Sequence, residues 1–336
     1  MAGKQLRPFS ESAGVGCRGY SIGLQRAITD FGADEAFGKT PDKIKEHYGI
    51  EVPTSSARVI TQRHGERIET NREVLGKLGR GGVTKLIGEM DGCMLPIVSI
   101  NPRENEQSPA DGRKRRKLSW REARLCLVRE PEKITGRYAA TMGGPEKAGE
   151  LFTDCVIRAG GGLITVLHCL GDGARWIVTQ AKKRLMMVVI FLVDFYHVSE
   201  YLAAAAEVIA EDQKAQWLRA QQQLMKTNRV SDVVTQLSDW IHPVDPAPDK
   251  DHPVVACHRY LTNRLDQLDY ASAITAGLPI GTGEVESGHR WLIQKRIKLS
   301  GAWWAEQNLE KMLAIRALRA NGDWDSYWVE VRQAAA

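Results

Sequence analysis

Several things are missing from this 336-residue chain. Its six cysteines, Cys17, Cys93, Cys126, Cys155, Cys169 and Cys257, include no C-x-x-C pair. That argues against a zinc ribbon and against a disulfide framework, so reduced thiols and a cytoplasmic setting are expected. No apolar run is long enough to span a bilayer, and nothing at the N-terminus reads as a signal peptide. The most apolar stretch, Leu185 to Val193, suits a buried strand, and no membrane partner is expected. Nor is there a large excess of one charge. The 46 Lys and Arg against 41 Asp and Glu leave +5, which permits a polyanionic partner without demanding one. What is present, 43% hydrophobic and 26% charged residues, is ordinary globular composition. The length allows one large domain with one or two small ones.

Residues 1–20 carry no period and read as a loose arm, followed by a short helix from Leu24 to Phe31. Thr40-Pro41-Asp42 is a helix start, with proline at the first helical position, and Gly49 ends that helix. A second helix is predicted over 57–69. Helix, short Gly-containing turn and helix have the shape of a helix-turn-helix, whose second helix would present Arg58, Gln62 and Arg63 to a DNA groove. The alternative is an ordinary surface hairpin.

Strand signals follow at 87–100, 123–129 and 134–142. A helix over 145–159, a strand over 163–170, a helix over 174–185 and a strand over 187–193 come next. The order βββαβαβ predicts an α/β fold with a mixed sheet covered by helices on both faces. Pro96 is expected to end or bulge the first strand. From Tyr196 onward the chain reads as helical, with predicted helices over 203–224, 229–240, 254–268, 284–299 and 305–320 and a last one through Trp324 and Trp328.

The first strand carries the carboxylate of Asp91. A carboxylate in an apolar strand costs several kcal/mol unless it is paired, solvated or metal-bound. Asp172 follows the fourth strand, framed by Gly171 and Gly173, and Glu286 opens a late helix. If the first and fourth strands are neighbours, the two aspartates lie side by side and Glu286 can reach them. Three hard oxygen ligands suit Mg²⁺ or Mn²⁺ rather than zinc. Two such ions about 4 Å apart serve phosphoryl transfer. For each acid alone, a solvated loop or cap carboxylate is the alternative.

The motifs Met90-Asp91-Gly92, Gly171-Asp172-Gly173-Ala174-Arg175-Trp176, Val193-Asp194-Phe195-Tyr196-His197-Val198, Gly281-Thr282-Gly283-Glu284-Val285-Glu286-Ser287, and Arg296-x-Lys298 with Gly301-x-Trp303 together resemble the DDE transposases of bacterial insertion sequences, in the Mutator-related branch. The resemblance spans about residues 20–330. It implies a ribonuclease H-like core with an all-helical insertion. The corresponding division is an arm and helix-turn-helix-like region at 1–80, the first part of the core at 81–198, the insertion at 199–276, and the rest of the core at 277–336. It implies Asp91, Asp172 and Glu286 as catalytic metal ligands, with Glu284 a rival for the third place and Asp194 for the second. His197 would contact a phosphate or brace Asp194. In related elements the N-terminal part is often longer and sometimes carries cysteine pairs. Cys17 stands alone here, so DNA-end recognition is expected either to be reduced or to fall entirely to the helix pair at 40–69.

Arg113, Lys114, Arg115, Arg116 and Lys117 form a basic run expected to grip phosphates, or else a solvated loop. Arg290, Arg296 and Lys298 are further candidate DNA contacts, with an Arg290–Glu286 salt bridge as the alternative for Arg290. Trp303 and Trp304 either stack on an unpaired base or pack into the core, and Trp176 is read as core. The expected activity is Mg²⁺-dependent cleavage at the element's ends and strand transfer into target DNA, by a homodimer or higher assembly associated with the nucleoid. A non-catalytic DNA-binding protein on the same scaffold, or a nuclease that cuts without joining, are the rivals.

Overall fold

The computed structural model describes residues 19–73, 75–100, 116–242 and 249–335. Its centre is a five-stranded mixed sheet of order β3-β2-β1-β4-β5. The strands are β1 (Lys85–Ile100), β2 (Arg116–Arg129), β3 (Arg137–Thr141), β4 (Val166–Gly171) and β5 (Val188–Val193). β1, β2 and β3 are antiparallel neighbours, whereas β4 runs parallel to β1 and β5 parallel to β4. The parallel steps are bridged by helices, as parallel pairing requires. These are α4 (Pro145–Arg158), between β3 and β4, and α5 (Arg175–Arg184), between β4 and β5.

Period two divides β1 into two faces. Gly88 and Met90 face α4, where Phe152 packs so closely on Gly88 that a Cβ there would come within 2.7 Å of the ring. Glu89, Asp91, Cys93, Leu95 and Ile97 line the other face, and Leu95 and Ile97 are buried in a cluster with Leu309, Leu313 and Trp304. Pro96 neither ends nor bulges β1: the register with β2 is continuous to Ile100. β4 leaves β1 at Glu89, so from there β1 has an open edge. The Val98 N–H points to that edge, where it donates to Trp304 O at 2.8 Å. Pro96 lies two residues earlier, and its missing N–H falls on the same edge, where no strand needs it.

The N-terminal helices α1 (Ile22–Asp34), α2 (Thr40–Tyr48) and α3 (Thr54–Thr70) form, but without hydroxyl caps on the last two: Lys39 precedes α2 and Pro53 precedes α3, and Thr40 lies inside its helix. Pro41 sits in the first turn of α2, and Gly49 ends it at φ 66°. α3 packs on the C-terminal helix α13 (Glu306–Ala320), where Gly65 lies so close that a Cβ would come 2.5 Å from Lys311 O. Glu310 of α13 in turn accepts from Thr141 Oγ1 and the Met142 N–H, at 2.7 and 2.6 Å, tying α13 to the end of β3.

After β5 come α6 (Phe195–Ile209), α7 (Lys214–Lys226), α8 (Val230–Ile241), α9 (Pro253–Thr262) and α10 (Tyr270–Thr275). The single helix expected over 203–224 is broken at 210–213 and folds back on itself. One long helix would leave half of its apolar stripe in water, whereas the turn buries Leu202 and Ala205 together with Met225. The helix expected over 254–268 stops at Thr262. Finally α11 (Gly283–Gly288) runs through a π-helical turn, His289–Gln294, into α12 (Lys295–Ile297), and α14 (Trp324–Gln333) closes the chain. Among the described residues no helix is long and apolar enough to cross a membrane.

Candidate functional site

The parallel register brings the predicted acids to one end of the sheet. The last paired positions are Glu89 with Leu170 and Gly171 with Val193. Asp91 lies two residues beyond the last β1 position paired with β4, and Asp172 and Asp194 come directly after the ends of β4 and β5. Period two puts Glu89 and Asp91 on the same face of β1.

α11 lies across this end, pinned by three sets of bonds and followed by His289, which approaches Asp91. Asp194 Oδ2 accepts from the Thr282 N–H at 2.8 Å and from the Thr282 hydroxyl. Glu89 Oε2 accepts from the Val285 N–H at 2.8 Å. Arg129 of β2 holds Glu284 with both arms of its guanidinium, Nε to Oε2 at 2.6 Å. His289 Nε2 lies 3.2 Å from Asp91 Oδ2. Burial would push the His289 imidazole down, but the Asp91 carboxylate and the Cys93 thiol outweigh it and lift its pKa to about 9.

The acids differ in what already occupies them. Asp194 is buried, and its other oxygen caps α6 by accepting from the Tyr196 and His197 N–H groups at 2.6 and 3.1 Å. All its lone pairs are engaged in holding β5, α6 and the start of α11 together. Glu284 is committed to Arg129. Glu286 is exposed, and neither its carboxylate nor the Arg290 guanidinium engages any described group, so the alternative salt bridge between them does not form. Asp172 is half-buried and uses Oδ1 to accept from the Ala174 N–H at 2.8 Å. Its turn needs Gly173 in the left-handed region, at φ 78°, with a Cβ-sized space already filled by Arg264. Tyr260 of α9 and Arg264 just after it bond the carbonyls of Asp172 and Gly173 and so brace this turn.

The donors fit a hard divalent cation in kind, because Asp91, Asp172 and Glu286 are all partly accessible carboxylates. Among the described residues, however, no three His, Cys, Asp or Glu side chains are close enough together to hold a metal ion.

Glu89 is the residue that the sequence reading passed over. It is completely buried, with one oxygen unpartnered. Burial first, then the nearby Glu284 and Asp194, raise its pKa to about 8 against the opposing Val285 N–H and Arg129. Its signal was present: it stands two positions before Asp91, on the same face of the same strand. His289 and Arg129 carried no such signal, because each acquires its partner only through folding.

The other predicted contacts divide by exposure. Arg58, Arg63, Arg116, Lys117, Arg290 and Lys298 are exposed, and Gln62 is half-buried. Arg113, Lys114 and Arg115 lie outside the described residues. Arg296 does not reach solvent and is corrected from DNA contact to core residue. It is 1% exposed, lies over the rings of Phe37 and Trp304 at 4.7 and 4.9 Å, and donates to Gly32 O. The His197 ring pairs with Glu200 at 3.3 Å; toward Asp194 only its backbone N–H is used. Trp304 is buried as a core residue, Trp303 is exposed, and Trp176 is half-buried beneath Arg124. Neither the models of known protein families nor the curated proteins contain a match to this chain.

Proposed function

We propose that this chain is a metal-dependent DNA transposase, cutting the ends of a mobile element and joining the freed 3′-OH to target DNA. The observation that carries the reading is the contrast among the acids at one end of the sheet. Asp91, Asp172 and Glu286 keep solvent-accessible oxygens, while the rivals Asp194 and Glu284 are spent on structural bonds. The strand order and directions also support a ribonuclease H-like core.

In this reading Asp91, Asp172 and Glu286, which do not lie close enough together here to share an ion, would hold Mg²⁺ or Mn²⁺ once drawn together, and the metal would supply activation of an attacking oxygen and stabilisation of a leaving one at phosphorus. His289 orients the Asp91 carboxylate. Asp194, Glu89 and Arg129 fix the helix that carries Glu286. Arg290, one turn beyond Glu286, and Lys298 hold the DNA backbone, with Arg58 and Arg63 on α3 making further contacts. Two ends must be cut and joined together, so the working form is a dimer or larger.

The test is separate Asp91→Ala, Asp172→Ala and Glu286→Gln substitutions, assayed for Mg²⁺-dependent cleavage and joining on DNA carrying the element's ends. Each is expected to abolish both steps while DNA binding persists; full strand transfer by any one removes that residue from the set. A second reading, a non-catalytic DNA-binding protein on this scaffold, is favoured by the Asp91–His289 pair. It requires that the unmutated chain bind DNA and cut nothing. Cleavage without joining would instead indicate a nuclease.

A further inference from the structure

Among the described residues the outer half of the β1–β2 pair is covered on one face only. Directly opposed residues of an antiparallel pair share a face, and here Pro96 opposes Trp120 and Val98 opposes Leu118. The opposite face, with Leu95 and Ile97, is buried under Trp304 and α13. Among the described residues nothing covers the face with Trp120 and Leu118: Trp120 is 55% exposed, Leu118 49% and Met94 48%. Trp303, 57% exposed, belongs to the segment that runs along the open edge of β1 beside Val98.

Isolated exposed apolar residues are ordinary, but a contiguous row on a sheet face marks a contact surface. The charges around it select the occupant. Arg116 shares the face with Leu118 and Trp120 by period two and is exposed, Glu122 on the same face is paired with Arg124, and Lys117 belongs to the opposite face. An exposed indole sharing a face with an accessible cation suits a strand whose phosphate meets Arg116 while a base lies on the ring.

We infer that this face of the hairpin is a binding site for unpaired DNA, with Trp120 as the stacking platform and Arg116 as a phosphate contact. The inference rests on the proposed DNA-processing function and adds to it a preference for DNA whose strands are locally separated.

The test uses the full chain in EDTA, so that binding is read without cleavage. Fluorescence anisotropy compares a duplex with the same duplex carrying a short unpaired stretch. The unmutated chain is expected to bind the partly unpaired DNA more tightly. Trp120→Ala should remove that preference, weakening the unpaired substrate by about 5- to 100-fold, while Trp120→Phe retains most of it. Arg116→Ala should weaken both DNAs together and lower the salt slope by about one. Because Trp120 is exposed, the thermal melt of Trp120→Ala should match that of the unmutated chain. Equal weakening of both DNAs by Trp120→Ala overturns the inference. So does unchanged DNA binding together with a smaller sedimenting species, which would assign the face to a second copy. No affinity for either DNA would overturn the proposed function as well, whereas DNA binding indifferent to Trp120 overturns this inference alone.

Discussion

The Val285 N–H donates to Glu89 Oε2 across 196 positions of sequence, at 2.8 Å, in a site sealed from water. This bond fixes the start of the helix that carries Glu286 to the strand that carries Asp91.

The cost of replacing Glu89 therefore depends on whether the new side chain can still accept from Val285. Glu89→Gln keeps an acceptor for Val285 and should leave stability within about 1 kcal/mol of the original. Glu89→Leu orphans a buried N–H and should cost about 1–3 kcal/mol in urea unfolding. Equal stability of the two variants would show that the bond contributes nothing.

The two glutamates of α11 should separate stability from activity. Glu284→Gln breaks a charge-assisted pair with the largely buried Arg129 and is expected to lower stability by about 1–3 kcal/mol. Glu286→Gln should leave the melting temperature unchanged and abolish Mg²⁺-dependent cleavage. The reverse pattern would assign the metal to Glu284.

Arg296 and Arg290 make a similar pair of contrasts. Removing a buried cation held by two aromatic rings, as in Arg296→Gln, should cost about 2 kcal/mol or more, mainly in stability. Arg290→Ala should leave stability within about 0.5 kcal/mol and weaken DNA binding with a shallower salt dependence. Urea titrations and anisotropy at several salt concentrations read both.

Gly65→Ala tests the contact between α3 and α13. Alanine favours a helix over glycine by about 1 kcal/mol, yet its Cβ would sit 2.5 Å from Lys311 O. Overpacking against backbone costs about 1–3 kcal/mol, so a net loss is expected. A gain in melting temperature would show that α13 yields freely.

Acid should weaken the same region through His64. Gln25 is oriented by its Nε2 donating to Tyr20 O, so its Oε1 accepts from His64 Nε2–H, and His64 Nδ1 accepts from the Tyr327 hydroxyl. Only a neutral ring can do both. Burial first, then Arg67 and Arg63, lower its pKa from 6.5 to about 4. Between these values the unfolded chain binds the extra proton, so stability falls as pH falls from 6.5 to about 4 and then levels. The loss approaches about 3 kcal/mol. His64→Gln should flatten this slope in unfolding measured at pH 7, 5.5 and 4; an unchanged slope would place its origin elsewhere.

Local pattern by itself determined the elements of this protein. Strand runs, the Pro41 and Gly49 punctuation, and the glycine frame of Asp172 follow from interactions within a few residues, and so were legible in the chain. Beyond that range the reading failed in identifiable ways. Pro96 passes through a strand because β4 departs before reaching it, and the helix over 203–224 breaks so that both halves can be buried. Arg296 looked like a DNA contact because nothing near it in sequence shows Phe37 folding over it. Which carboxylates remain accessible was decided only by tertiary structure. Asp194 and Glu284 are consumed by Thr282 and Arg129, and Glu89 is buried by α11. The reason is physical: burial and pairing are set by neighbours distant in sequence, and a side chain's chemistry depends on those neighbours as much as on its own type.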